Sequence, residues 1–346
     1  MEIINIVKGC YTEFSGKSDI GIIALPQSGS DRRYFRIMDG DMSFIGAYNA
    51  NHEENEAFIG FTKHFLRKQL PVPDIHAYFP EKSVYFLRDL GDINLYTWLH
   101  KRPDISDFNS STKILYRKVL DNLIRFQVNG IEGLDLDLCY PHRSFDRQSM
   151  MWDLNYFKYM FLKLLAVPFN EKQLEKDFNV FCDFLLETSQ EYFLYRDFQT
   201  ANIMVVEDEP WFIDYQGGRK GAPQYDVASL LYDAKIPMAD DDREELLTYY
   251  IENFCSVTGE DKKKFRQYYT GFSMIRVMQA LGAFGFRGLY EKKPTFIESI
   301  VPGVVLLSKI SLLAETNPDV PELYKTIRSI KDTAIFKKLS EEHNRQ

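Results

Sequence analysis

Tyr195-Arg196-Asp197-Phe198-Gln199-Thr200-Ala201-Asn202, with Ile213-Asp214-Tyr215 following twelve residues after Asn202, is the stretch on which the fold turns. It carries the pattern R-D-x-x-x-x-N. Spacing alone selects nothing, because an Asp with an Asn five residues later occurs three times, as Asp89/Asn94, Asp104/Asn109 and Asp197/Asn202. Context separates them. After Asn202 come two short apolar runs, residues 203–206 and 211–214, parted by the polar turn 207–210. They predict a strand, a tight turn and a second strand that ends in a carboxylate. Phosphoryl transfer needs a carboxylate beside the attacking hydroxyl and oxygen ligands for the magnesium on the phosphates. A loop entering such a hairpin brings three such groups together. Asn94 instead opens the amphipathic run 95–99 with no returning strand, and Asp104/Asn109 falls in a polar loop.

Upstream the text changes character. Residues 21–26 (GIIALP), 33–38 (RYFRIM), 43–48 (SFIGAY) and 83–87 (SVYFL) read as strands, and Asp39-Gly40 is a hairpin signal. Between the third and fourth strands, Glu53, Glu54 and Glu56 precede Phe58, Phe61 and Phe65 at helical spacing, which predicts one helix. After Gly91, helical periodicity dominates, over 95–99, 112–129, 148–165, 171–187, 226–233, 242–254 and 261–287. The expected architecture is α+β and bilobal: residues 1–90 form a small β-rich lobe with one helix, and residues 91–346 form a larger helical lobe holding the short hairpin.

Composition bounds the function. The chain has 346 residues and a formal net charge of −8, which argues against a general nucleic-acid-binding surface but not against a nucleotide. Cys10, Cys139, Cys182 and Cys255 form no C-x-x-C pair, so they read as reduced thiols of a cytoplasmic protein rather than a zinc site. The first residues lack a cationic segment followed by an apolar one. The most apolar run, 301–313, is broken by Pro302 and Lys309, so neither a signal peptide nor a membrane span is expected.

The segments 196–202 and 213–214, with the following 221–233 (GAPQYDVASLLYD), resemble the aminoglycoside phosphotransferase-like family of small-molecule kinases, which shares the protein-kinase fold. The resemblance covers nearly the whole chain. It implies ATP and Mg2+ as cofactors, Asp197 as catalytic base, Asn202 and Asp214 as magnesium ligands, and Arg196 and Asp226 as supporting residues. From the residues alone, Asp226 reads first as a helix N-cap. The polar loop 27–32 lies where this fold covers the phosphates, which makes Gly29 and Ser30 candidate nucleotide contacts. Residues 86–90 would be the hinge against adenine.

Two departures stand out. Tyr195 occupies the place where kinases usually carry His. Residues 43–48 hold no lysine where kinases place the one that grips the phosphates. Arg32 and Arg33 are the nearest substitutes, with Glu54 or Glu56 to orient one of them; Arg33 shares a strand face with Phe35 and Ile37.

Residues 30–37 (SDRRYFRI), 196–204 (RDFQTANIM), 213–218 (IDYQGG) and 276–288 (RVMQALGAFGFRG) resemble bacterial kinases acting on the anomeric hydroxyl of N-acetylmuramate and N-acetylglucosamine in cell-wall recycling. That resemblance implies a small-molecule amino-sugar acceptor and, downstream, a nucleotidyltransferase partner. No substrate-contacting residue follows from it. Choline- or aminoglycoside-like acceptors, or a silent nucleotide-binding module, remain as alternatives. The acidic run Asp240-Asp241-Asp242 would suit a cationic acceptor, but a solvated helix start, followed by Arg243, Glu244 and Glu245, explains it better.

Overall fold

The computed structural model describes residues 2–26, 31–102, 105, 108–314 and 318–345. Gly29 and Ser30 lie outside the described residues, as does Asp104.

The strands are β1 Gly21–Ala24, β2 Arg33–Asp39, β3 Met42–Tyr48, β4 Ile75–Phe79 and β5 Val84–Arg88, in one antiparallel sheet of order β1-β2-β3-β5-β4. Asp39 pairs with Met42, so the hairpin turns on Gly40, whose φ of 62° suits a residue without Cβ, and on Asp41. Two helices accompany the sheet, α1 Ile3–Ser15 and α2 His52–Arg67. The sequence reading expected only one. Val7, Cys10 and Tyr11 recur at helical spacing and bury one face of α1 against Phe35, Ile37 and Phe86 on the outer face of the sheet. That short pattern sits in a stretch read only for a leader peptide.

The rest of the chain is helical around two ladders. In chain order come α3 Leu95–His100, α4 Ser110–Val128, α5 Arg147–Phe157, α6 Glu171–Leu185, α7 Gln224–Leu231, α8 Asp240–Thr258, α9 Lys262–Phe284, α10 Pro294–Glu298, α11 Ile300–Ala314, α12 Pro321–Ser329 and α13 Ala334–His343. Strands β6 Tyr192–Leu194, β7 Ile203–Val206, β8 Glu209–Phe212 and β9 Arg219–Gly221 pair as β6-β9 and β7-β8. At Gly218, just before β9, a Cβ would stand 2.2 Å from the Phe193 ring, so no other residue fits.

Residues 294–314 are long and apolar enough to cross a bilayer by length and composition, contrary to the sequence reading. Pro302 does not break α11 because it lies in the first turn, where its missing N–H costs nothing. The helix buries Ile300, Val304, Leu307 and Ile310 in the core that α9 shares, while Val305, Leu312 and Leu313 on its other side are exposed.

One aromatic cluster joins the sheet to the helical part. Phe58 and Phe65 of α2 pack on Tyr215 at 5.1 and 5.3 Å between ring centroids, and Thr62 Oγ1 lies 2.5 Å from the Tyr215 hydroxyl. Tyr215 is fully buried, so the residue before it, Asp214, is anchored at the junction.

Candidate active site

Strand β6 delivers the loop 195–202. Tyr195 is buried, packs on Phe126 and Phe198, and donates its hydroxyl to the Ile213 carbonyl at 2.7 Å. An aromatic ring with one donor thus ties the loop to the return strand. The loop backbone is held at both ends from α7 and its C-terminal flank. Asp226, fully buried inside α7 rather than at its cap, accepts the N–H groups of Tyr195 and Arg196 at 2.7 and 3.0 Å. Asp233 accepts the Thr200 hydroxyl at 2.6 Å and its N–H at 3.3 Å.

Burial pushes the Asp226 carboxyl up to about 7, against the pull of those two N–H groups. The unfolded carboxyl releases its proton near 3.8, so this group's contribution to stability falls as pH rises from 4 to 7. Asp226→Asn is expected to remove that decline. Asp226→Ala strands two buried N–H groups at about 1–3 kcal/mol each, so a loss of roughly 2–5 kcal/mol in urea unfolding is expected. Asparagine, which still offers one acceptor, should lose less.

Arg196 has φ +83° and Asp214 φ +68°. Left-handed backbone at a non-glycine residue costs on the order of 1–3 kcal/mol and clusters at functional sites. The Arg196 guanidinium is clamped by both carboxylate oxygens of Asp153 on α5 at 2.5 and 2.7 Å and lies over the rings of Phe145 and Tyr225. Its charge is spent inside the protein, on Asp153 and not on the neighbouring Asp197. Among the described residues, the half-buried Asp197 carboxylate has no hydrogen-bond or ion-pair partner. Its backbone carbonyl accepts from the Gln199 N–H at 2.9 Å and from Asn202 Nδ2 at 3.0 Å.

Asn202 Nδ2 also reaches Asp214 Oδ2 at 3.2 Å, so the structure brings Asp197, Asn202 and Asp214 together. Gln216 Nε2 donates to Asp214 Oδ1 at 2.8 Å, while its own Oε1 is buried without a partner. Burial and the neighbouring Asp197 push the Asp214 carboxyl up, and Gln216 and Arg32 pull it back. This donor set suits Mg2+: carboxylate and amide oxygens, with an orphan amide oxygen beside them. A site of one or two protein ligands completed by phosphate and water is the usual form for that ion. Among the described residues no group of three His, Cys, Asp or Glu side chains forms a denser cage.

Above Asp214 sits Arg32, only 3% exposed. Its guanidinium lies 3.2 Å from Glu54 Oε2, 3.4 Å from the Tyr34 hydroxyl and 3.7 Å from Asp214 Oδ1. Asn49 Nδ2 holds the same Glu54 oxygen at 2.9 Å, and the Asn51 cap fixes the first turn of α2 from which Glu54 projects. On β3 the residue opposite Tyr34 is Ala47, buried in the core. The cation therefore enters from the flank of β2 instead of from β3. Arg33 does not join it: the residue is exposed at the start of β2. Side chains alternate along a strand, and the outer face on which Phe35 and Ile37 are buried is no longer covered at Arg33. Glu56 is engaged elsewhere, accepting from the Tyr78 hydroxyl at 2.7 Å.

Both residues of the Asp89/Asn94 pair have structural duties. Asp89 forms a two-point pair with Arg36 and accepts the Gly91 N–H, which shapes the segment 86–92. Asn94 caps α3 and donates to the Ala201 carbonyl at 3.2 Å, bracing the loop 195–202. The acidic run is consumed by Lys309 and Arg243 at Asp240 and by Lys113 at Asp242. Sequence reasoning missed Asp153, Asp233, Arg36 and Asn49. Asp233 alone carried a signal, as the second carboxylate seven residues after Asp226.

Residues 22–266 match the phosphotransferase enzyme family (APH), and the chain belongs to that family. It is 25% identical over 266 residues, 75% of this chain and 76% of the other, to an N-acetylmuramate/N-acetylglucosamine kinase of Neisseria meningitidis. It is 28% identical over 220 residues to the protein of the same name in Pseudomonas aeruginosa, covering 62% of this chain and 60% of that one. Among solved structures, a choline kinase from Cryptosporidium parvum superposes with a TM-score of 0.61 at 14% identity, covering 94% of this chain and 100% of that one. The fold is α+β and protein-kinase-like, and the chain is a phosphotransferase.

Proposed function

We propose that the chain is an ATP-dependent kinase for the anomeric hydroxyl of an N-acetylated amino sugar. The observation that carries the chemistry is the cluster of Asp197, Asn202 and Asp214 beneath Arg32. Asp197, unpaired and oriented by backbone bonds, accepts the proton of the attacking sugar hydroxyl. Arg32, held by Glu54, places a fixed positive charge over the phosphates. Asp214 and Asn202 would hold Mg2+, which neutralises charge on the phosphates and on the leaving diphosphate. Asp226, Asp233 and Arg196 keep the loop rigid, so that the base does not need to reorganise during transfer. The names of the two bacterial relatives, at 25–28% identity, support the amino sugar. On this reading the lobes divide near residue 90, and the product, a sugar 1-phosphate, suits a nucleotidyltransferase that acts next.

ADP release with Mg-ATP against N-acetylmuramate, N-acetylglucosamine, glucose, choline and an aminoglycoside tests this. Turnover is expected on the N-acetylated sugars, with an anomeric phosphate signal in phosphorus NMR. Turnover confined to choline or the aminoglycoside overturns the acceptor and keeps the phosphotransfer. No ADP from any acceptor, with ATP still bound, would favour a silent module.

A further inference from the structure

The acceptor left open two amino sugars, one of which carries a carboxylate, and the lysines of the chain bear on the choice. Taking a charged group out of water is unfavourable unless a partner compensates. Lys68, Lys113, Lys118, Lys158, Lys220 and Lys293 are each partly or wholly buried, and each pairs with a carboxylate. Lys235 is partly buried as well. Among the described residues its ammonium has no carboxylate partner. It lies 5.8 Å from the ring centroid of Tyr96 and 5.8 Å from that of Phe296, between α3 and α10.

Its place is fixed relative to the catalytic loop. The Lys235 N–H donates to Asp233 Oδ1 at 3.1 Å, and the other oxygen of that carboxylate holds Thr200, three residues after Asp197. Tyr96 lies in the first turn of α3, whose cap Asn94 donates to Ala201 of the same loop. A partly buried cation with an aromatic ring 5.8 Å away on each of two sides, tied through Asp233 to the loop that carries the base, is a half-site: it offers charge to an anion and flat apolar area to a sugar ring.

We propose that Lys235 is a specificity-determining residue that recognises a carboxylate on the acceptor, so that the acidic sugar, N-acetylmuramate, is preferred to the neutral N-acetylglucosamine. This rests on the amino-sugar reading above. The same cation could attract a phosphate of the nucleotide, and the two sources differ in which KM moves.

The test compares the wild-type chain with Lys235→Gln and Lys235→Arg, measuring steady-state kinetics on both sugars at saturating ATP and on ATP at saturating sugar. Loss of a charge-assisted hydrogen bond to the acceptor is expected to raise the KM for N-acetylmuramate about 10- to 100-fold. The KM values for N-acetylglucosamine and ATP should stay within about threefold, and Arg should restore most of the loss. Both sugars changing alike, neither changing, or the ATP KM rising in their place would each overturn the assignment while sparing the kinase reading. A wild-type chain idle on both sugars would fail that reading first, and this one with it. Equal melting temperatures for the three proteins exclude a folding defect as the source of any change.

Discussion

Asp197→Asn should abolish phosphotransfer while leaving the protein folded and nucleotide binding nearly intact. The expected loss in kcat is about 10³-fold or more, toward the upper end of what a positioned general base contributes. The reason lies in how the residue is held. The loop is fixed through the backbone, by Asp226 at Tyr195 and Arg196 and by Asp233 at Thr200, while the Asp197 carbonyl, not its carboxylate, receives Asn202. Replacing the carboxylate by an isosteric amide therefore breaks no internal bond, and the melting temperature should move by no more than about 2 °C. KM for ATP should stay within a few-fold, since Asp214 and Arg32 are untouched. The measurement is initial-rate ADP release with the best acceptor beside a thermal melt. A variant retaining a tenth of wild-type kcat would remove Asp197 from the role of base. A variant that melts early would show that its carboxylate carries structure.

Legibility from sequence followed how local each signal was. The strands of the sheet, the hairpin of β7 and β8 and most helices could be read because period-two and period-3.6 patterns lie in contiguous text. The second strand of the hairpin ends at Phe212, two residues short of expectation, because Asp214 takes up left-handed backbone that no strand continues through. Asp197, Asn202 and Asp214 could be singled out among three Asp/Asn spacings because a strand-turn-strand followed only one of them, and the structure brings these three residues together. What could not be read is contact across distance. Asp153 is an unremarkable polar position on a helix until Arg196, forty-three residues later, closes on it. Arg36 acts through Asp89, fifty-three residues away, a pairing that the sheet creates and composition does not announce, and Asn49 reaches Glu54 only across the turn from β3 into α2. Arg33 shows the reverse error. Its parity with Phe35 and Ile37 was read correctly, but parity does not say where the cover over a strand face stops.

That same parity makes Arg32 the second large expectation. With Ala47 on β3 and no lysine beside it, the buried positive charge facing Asp214 comes from Arg32, and its orientation from Glu54, which Asn49 and the α2 cap hold in turn. Arg32→Ala should lower kcat/KM for ATP by about 10²- to 10³-fold, the scale of removing one preorganised charge from a transition state in a water-poor site. Arg32→Lys should recover only part. A guanidinium fork can meet Glu54, Tyr34 and the region of Asp214 together, whereas an ammonium on a flexible stem offers one compact charge. Glu54→Gln should cost less than Arg32→Ala and should add little in its presence, because two residues acting through one contact are non-additive. Isothermal titration with ATP and magnesium, beside steady-state rates for the four proteins, decides the matter. Undiminished ATP affinity and rate in Arg32→Ala would mean that this arginine only fills the space beneath the sheet. Full additivity of the two substitutions would mean that Glu54 serves α2 and not Arg32. If instead the double variant matches Arg32→Ala, the grip on phosphate has moved from the middle of β3 to the entrance of β2, and residue 32 is where nucleotide affinity is set.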